Sequence, residues 1–227
     1  MRGFPPLSKL FKTKTLRASQ GATERVQRLR CEYWEKVKEV DPENLVFLDE
    51  MGVLLGLTRT KQRSLHGTRA YNLKPFYRGA KITVIGAVSL KEVLAVMTLN
   101  GSMDSNAFEV FIKECLLPKL WPGAVVIMDN VPAHKKASIE ASIQSVGASV
   151  LNLSPYSPDF NPIEHWWSQL KAQSSPDRRF CPADFAFLRQ FSPRTTKMVD
   201  ILIAIALNLF NPRHLRNWFA NCCYCTS

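Results

Sequence analysis

Val125-Val126-Ile127-Met128-Asp129-Asn130 is an apolar run that ends in a carboxylate and is followed closely by Pro132 and His134. A short apolar run bounded by turn-forming residues reads as a buried strand, so Asp129 is delivered to a strand end. Leu45-Val46-Phe47-Leu48-Asp49 repeats the pattern. Side chains alternate along a strand, so Asp49 and Glu50 face opposite ways and only one can enter a shared site. A third carboxylate comes from Asn161-Pro162-Ile163-Glu164. That is a helix start in the expected order: Asn161 as cap, Pro162 at the first helical position and Glu164 at the third.

Outward from these three segments, apolar periodicity predicts the remaining elements. Val26, Leu29, Tyr33, Val37 and Val40 recur at three or four, predicting a helix over 22–40 with Thr23 as cap. Residues 81–89 and 93–99 read as an antiparallel hairpin, and Val53 to Thr58 as a strand pairing back onto the first through a turn at Met51-Gly52. Asp104 or Ser105 caps a helix whose Phe108, Phe111, Ile112, Cys115 and Leu116 form one apolar face. Strand 124–128, helix 135–146 and strand 149–153 follow, and helices over 195–209 and 212–221 close the chain. Helices covering a sheet that mixes hairpins with parallel strands give an α/β layer fold.

Thirty Lys plus Arg against nineteen Asp plus Glu leave a formal net charge of +11 in 227 residues, so the surface attracts polyanions. From Met51 to Lys91 there is no acidic residue, while Arg59, Lys61, Arg63, Arg69, Lys74, Arg78 and Lys81 are spread among Tyr71, Phe76 and Tyr77. That stretch is expected to contact a nucleic-acid backbone; the competing reading is the solvated face of a hairpin. Met1 to Gly21 is a basic arm with too few periodic apolar positions to fold alone. Its first sixteen residues lack the apolar core of a signal peptide. Six cysteines show no paired framework, which fits a reducing, cytoplasmic setting. Cys222-Cys223-Tyr224-Cys225 lacks the spacer of a zinc knuckle. No stretch reaches the ~18 apolar residues a membrane span needs.

Three converging carboxylates suit phosphate chemistry. A phosphodiester resists attack because it is anionic, and two Mg²⁺ ions about 3.5–4 Å apart can neutralise charge, activate an oxygen nucleophile and stabilise the leaving oxygen. Mg²⁺ prefers hard carboxylate oxygens. Each acid also has a plainer reading: Glu164 completes a capping box with Asn161, and an Asp after a strand is commonly a turn former or cap.

Phe47-Leu48-Asp49-Glu50, Met128-Asp129-Asn130-Val131-Pro132-Ala133-His134 and Ser154-Pro155-Tyr156-Ser157-Pro158-Asp159-Phe160-Asn161-Pro162-Ile163-Glu164 resemble the three catalytic blocks of mariner-type transposases, in their bacterial insertion-sequence branch. Thirty-four residues lie between Asp129 and Glu164, a spacing typical of that group. The resemblance runs from about Leu16 to the end. It implies an RNase H-like fold with a mixed five-stranded sheet flanked by helices, and Asp49, Asp129 and Glu164 as a DDE triad holding two Mg²⁺ or Mn²⁺ ions. Asn130 and His134 belong to the second block and are expected to support the triad; for His134 a helix-start role without catalysis competes. The implied reaction cuts transposon ends and joins the freed 3′-hydroxyl to target DNA. Lys171, one helical face along from Glu164, is expected to hold a backbone phosphate.

The expected partners are double-stranded DNA, at transposon ends and target, and a second copy of the chain. Relatives carry a helix-turn-helix region ahead of the catalytic domain. Here residues 1–43 supply an arm and one linker helix, so a separately encoded helix-turn-helix portion is a further expected partner. Residues 44–221 form the catalytic domain and 222–227 a Cys-containing tail. The implied location is the bacterial cytoplasm, at the nucleoid.

One helix is interrupted. With residues 173–186 removed, Trp166, Trp167, Leu170, Phe187, Leu188 and Phe191 fall on one helical face, so 173–186 reads as an insertion. A truncated, catalytically inactive DNA-binding derivative is therefore the alternative to an active enzyme, and a general RNase H-like nuclease is a third reading.

Overall fold

The computed structural model describes residues 19–56, 67–69, 71, 79–130, 137–171, 188, 191, 193–208 and 211–225. Five strands form one mixed sheet in the order β3-β2-β1-β4-β5. They are β1 (Leu45–Leu54), β2 (Lys81–Ser89), β3 (Val93–Asn100), β4 (Val125–Met128) and β5 (Ser149–Asn152). β1, β2 and β3 pair antiparallel, whereas β4 and β5 run parallel to β1. Helices flank this sheet, which is the RNase H-like arrangement.

Alternation along β1 divides the core into two layers. Val46 and Leu48 face one side, with Ile85, Val126 and Met128, and are covered by α2 (Ser105–Val110) and α3 (Ala137–Ser145). Asp104 caps α2, accepting from the Ala107 N–H at 2.7 Å. α2 runs into a π-helical turn, Phe111–Leu116. The wider turn lets Phe111 and Leu116, five apart, both be fully buried.

Phe47, Met51 and Val53 face the other side. Four helices cover them: α1 (Glu24–Val37), α4 (Ile163–Lys171), α5 (Thr196–Asn208) and α6 (Pro212–Asn221). Their buried contributions include Tyr33 and Val37, Trp166 and Trp167, Leu202 and Ile203, and Leu215 and Phe219. Cys222 and Tyr224, beyond α6, belong to the same core. Leu188 joins it, while Phe191, expected on the same apolar face, is 49% exposed. The proposed insertion at 173–186 lies outside the described residues.

The expected turn at Met51-Gly52 does not form. β1 continues through it and stays paired with β2 as far as Leu54 opposite Lys81. Met51 and Val53 keep the alternation of Phe47, and both are buried, so a turn there would expel two core side chains. Among the described residues no helix is long and apolar enough to cross a membrane.

Candidate active site

The register of β1 and β4 levels two carboxylates. Phe47 and Ile127 are partners in the parallel ladder, and two residues beyond each stand Asp49 and Asp129. Period-two alternation puts both on the face covered by α4, and neighbouring strands lie about 4.8 Å apart. The Glu50 N–H donates to Asp49 Oδ1 at 2.8 Å, and the Trp167 indole Nε1–H donates to Oδ2 at 3.2 Å. Glu164 is exposed and sits one helical turn ahead of Trp167, so the same indole bond seats its turn of α4 above Asp49.

α4 approaches the sheet through a glycine. Asp49 lies opposite Gly86 of β2. A Cβ at Gly86 would come within 2.7 Å of Trp167 Cη2 and 2.9 Å of Trp166 Cζ3. The two indoles are buried and stacked, with centroids 4.6 Å apart. Gly86 and Trp167 thus shape the site, yet neither shows a chemical signature in the sequence.

The electrostatics follow from burial and crowding of like charge. Burial pushes the Asp49 carboxyl up to about 7, the negative charge of Glu164 adds to this, and Glu50 and Asp129 contribute less. The bond from the Glu50 N–H opposes the rise. A cleft of about 340 Å³ opens beside the strand ends, bordered by Asp49, Glu50, Lys81, Thr83 and Asp129. Asp49 and Glu50 do point to opposite faces, but both border this cleft.

Asn130 is exposed and donates from Nδ2 to the Leu153 carbonyl at 2.8 Å, tying the end of β4 to the end of β5. Lys81 borders the cleft and donates to Ser102 Oγ at 3.1 Å. Arg69 is exposed. Lys171 ends α4, two turns on from Glu164. His134, Arg59, Lys61, Arg63, Lys74 and Arg78 lie outside the described residues, as does the side chain of Lys171.

The helix start differs from the expected cap. α4 begins at Ile163, and the Asn161 carbonyl, not its side chain, accepts from the Glu164 N–H at 3.1 Å. Asn161 Oδ1 is buried and finds no donor among the described residues. The Asn161 N–H donates to the Pro158 carbonyl at 3.1 Å, so the return bond of a capping box is not needed from Glu164.

The donor chemistry of Asp49, Asp129 and Glu164 fits a hard divalent cation: all are carboxylates, and the Asp49 carboxyl, raised first by burial, is raised further by the negative charge of Glu164, which a cation would offset. Among the described residues, no three His, Cys, Asp or Glu side chains are gathered closely enough to hold one ion as they stand.

A family model described as "DDE superfamily endonuclease" matches residues 44–184. The Transposable element Tc1 transposase of Caenorhabditis elegans is 28% identical over 97 residues, covering 41% of this chain and 36% of that protein. The Tcb1 transposase of Caenorhabditis briggsae is 27% identical over 99 residues, with the same shares. The chain thus covers about a third of the length of these curated relatives. Among solved structures, a pre-cleavage Mos1 transpososome superposes with a TM-score of 0.64 at 14% identity, over 95% of this chain and 65% of that one. The mariner Mos1 paired end complex with Mg gives 0.65 at 14% identity, with the same shares. The catalytic domain of Mos1 mariner transposase gives 0.54 at 12% identity, over 93% and 92%. At these identities the structures share the fold.

Proposed function

The chain belongs to the DDE superfamily endonucleases, and on that premise we propose that it is the catalytic domain of a mariner-type transposase from the bacterial insertion-sequence branch, cutting transposon ends and transferring the freed strand into target DNA. The observation that carries this reading is the meeting of three acids at the strand ends: Asp49 and Asp129 stand level at the ends of paired parallel strands, and the Trp167 indole seats the Glu164 turn of α4 above Asp49. Acids crowded and buried in one cleft mark a candidate functional site, and the negative charge they share once ionised is what divalent cations would offset.

Asp49, Asp129 and Glu164 would hold two divalent ions, Mg²⁺ or Mn²⁺, which when bound supply charge neutralisation and nucleophile activation for in-line displacement. Asp49 is oriented for this by its two donors, Glu50 N–H and Trp167 Nε1–H. It must release its proton first, so below about pH 7 protons compete for the same oxygens. Asn130 keeps the end of β4 against β5, which fixes the height of Asp129. Lys81, at the cleft, meets a backbone phosphate, and the basic residues of 59–81 with Lys171 extend that contact along double-stranded DNA. Two copies act on paired ends, with end recognition supplied by a helix-turn-helix portion. The setting is the bacterial nucleoid.

Incubation with supercoiled plasmid and Mn²⁺ or Mg²⁺, beside Asp129→Ala, tests the proposal. Wild-type protein is expected to nick the plasmid and Asp129→Ala to leave it supercoiled. Tight binding by wild type without nicking would instead identify an inactive DNA-binding derivative.

A further inference from the structure

The loop that leads into Glu164 is fastened from outside. The Arg30 guanidinium of α1 donates from Nη1 to Asp159 Oδ1 at 3.0 Å and from Nη2 to Asp159 Oδ2 at 2.7 Å, a two-bonded pair. Nη1 also donates to Ser157 Oγ at 2.8 Å, and the guanidinium carbon lies 3.9 Å from the centre of the Phe160 ring. From there the backbone is bonded turn by turn into the helix. Phe160 N–H donates to Ser157 O at 3.0 Å, Asn161 N–H to Pro158 O, and Glu164 N–H to Asn161 O, both at 3.1 Å. A displacement at Ser157 or Asp159 is therefore carried to Glu164.

The loop's own bonds leave two buried polar atoms unmet. Ser154 Oγ and Asn161 Oδ1 are buried without partners among the described residues. Tyr156 adopts a left-handed conformation, φ 52°, which L side chains rarely occupy. Besides Arg30, Tyr224 fixes the loop: its hydroxyl donates to the Phe160 carbonyl at 2.7 Å and, with that proton committed, accepts from the Tyr33 hydroxyl at 2.7 Å. α1 thus grips the loop twice, directly through Arg30 and indirectly through Tyr33.

We propose that Arg30 is a positioning residue for Glu164, its paired bonds to Asp159 and its bond to Ser157 setting where the first turn of α4 stands over Asp49 and Asp129. The proposal rests on the carboxylate reading above and adds to it a control by α1, an element outside the matched family region. A guanidinium suits the task because its planar fork meets a carboxylate at two points and its charge persists at any working pH. Because the Trp167 indole, one turn on from Glu164, bonds directly to Asp49, small changes in the seat of this turn act on how Glu164 and Asp49 meet an ion together.

Two readouts test it, on Arg30→Met, Asp159→Asn and the exchanged pair Arg30→Asp with Asp159→Arg, each first confirmed to unfold cooperatively. The first is amide hydrogen exchange at residues 163–167. The second is the Mn²⁺ concentration that half-saturates plasmid nicking. The single variants are expected to exchange faster at these amides and to need severalfold more Mn²⁺, up to the about tenfold typical of a direct partner of a metal ligand, with nicking at saturating Mn²⁺ within about twofold of wild type. The exchanged pair recovers both. Unchanged exchange and unchanged Mn²⁺ dependence in a folded single variant would overturn the proposal. So would a loss of nicking that saturating Mn²⁺ does not restore, which marks a merely structural role. If wild-type protein neither nicks nor binds Mn²⁺, the metal reading fails by itself, and the exchange rates at 163–167 still decide whether Arg30 holds Glu164 in place.

Discussion

Asp49, first of the three acids proposed to hold the metal, costs the fold that carries it. In the folded chain it retains its proton up to about pH 7, whereas the ordinary value of 3.8 applies once the chain unfolds. Between those values the folded state binds more protons, so this residue's contribution to stability falls as pH rises through the window. The shift corresponds to something on the order of 4 kcal/mol at pH 8, an upper figure because neighbouring acids titrate together. Asp49→Asn, which never ionises, is expected to raise the melting temperature at pH 8 by several degrees in metal-free buffer. The gain should disappear below pH 4, and DNA nicking should be lost at every pH. Calorimetry across pH 4–8 checks the first part; an equal gain at both ends would refute the electrostatic origin. Asp49 and Asp129 could be found from sequence because an apolar run ending in Asp is a local signal. The indole donor could not, since Trp167 reads only as one more apolar position on a helix.

At the level of elements, α4 is placed by a missing side chain. Gly86 lies mid-strand, where glycine ordinarily weakens a sheet, and its use is to let two indoles rest on β2. Gly86→Ala should therefore destabilise the protein by about 1–3 kcal/mol through overpacking, against a gain in strand propensity, and reduce nicking more than stability alone explains. Urea unfolding beside the plasmid assay separates the two effects; a neutral or stabilised variant would show that α4 can shift freely. Sequence periodicity was sound for elements whose apolar faces are local, such as the β2–β3 hairpin and the capped helix after Asp104. It failed at Met51-Gly52, where a glycine suggests a turn but pairing with β2 out to Leu54 keeps the strand extended. At the start of α4 the expected side-chain cap bond from Asn161 is absent: its carbonyl meets the Glu164 N–H, while its buried Oδ1 has no partner among the described residues.

For the whole molecule, the +11 charge is the broadest feature. If the basic stretch contacts DNA backbone, log affinity should fall linearly with log salt, with a slope of about −0.9 for each phosphate neutralised. A flat response in a filter-binding titration would remove that stretch from the interface. The layered fold and the strand ends were legible in the sequence because buried strands and amphipathic helices have distinct periods. The strand-end acids and the helix start carrying Glu164 were legible as separate pieces, but no local pattern says where a loop will carry a helix, so the resemblance to known catalytic blocks was what weighted their grouping. The pairing of β1 with β4 has one more consequence, for how the protein is made. Asp49 and Asp129 stand level only after two strands eighty residues apart have closed into a parallel ladder. The β2–β3 hairpin is local, whereas a ladder between strands this far apart carries the loop-closure entropy that slows non-local pairing. A chain emerging from the ribosome holds Asp49 long before it holds Asp129 or Glu164, so on the triad reading proposed above a nascent copy has no cutting centre to assemble. The topology thereby delays any nuclease activity until synthesis has passed α4.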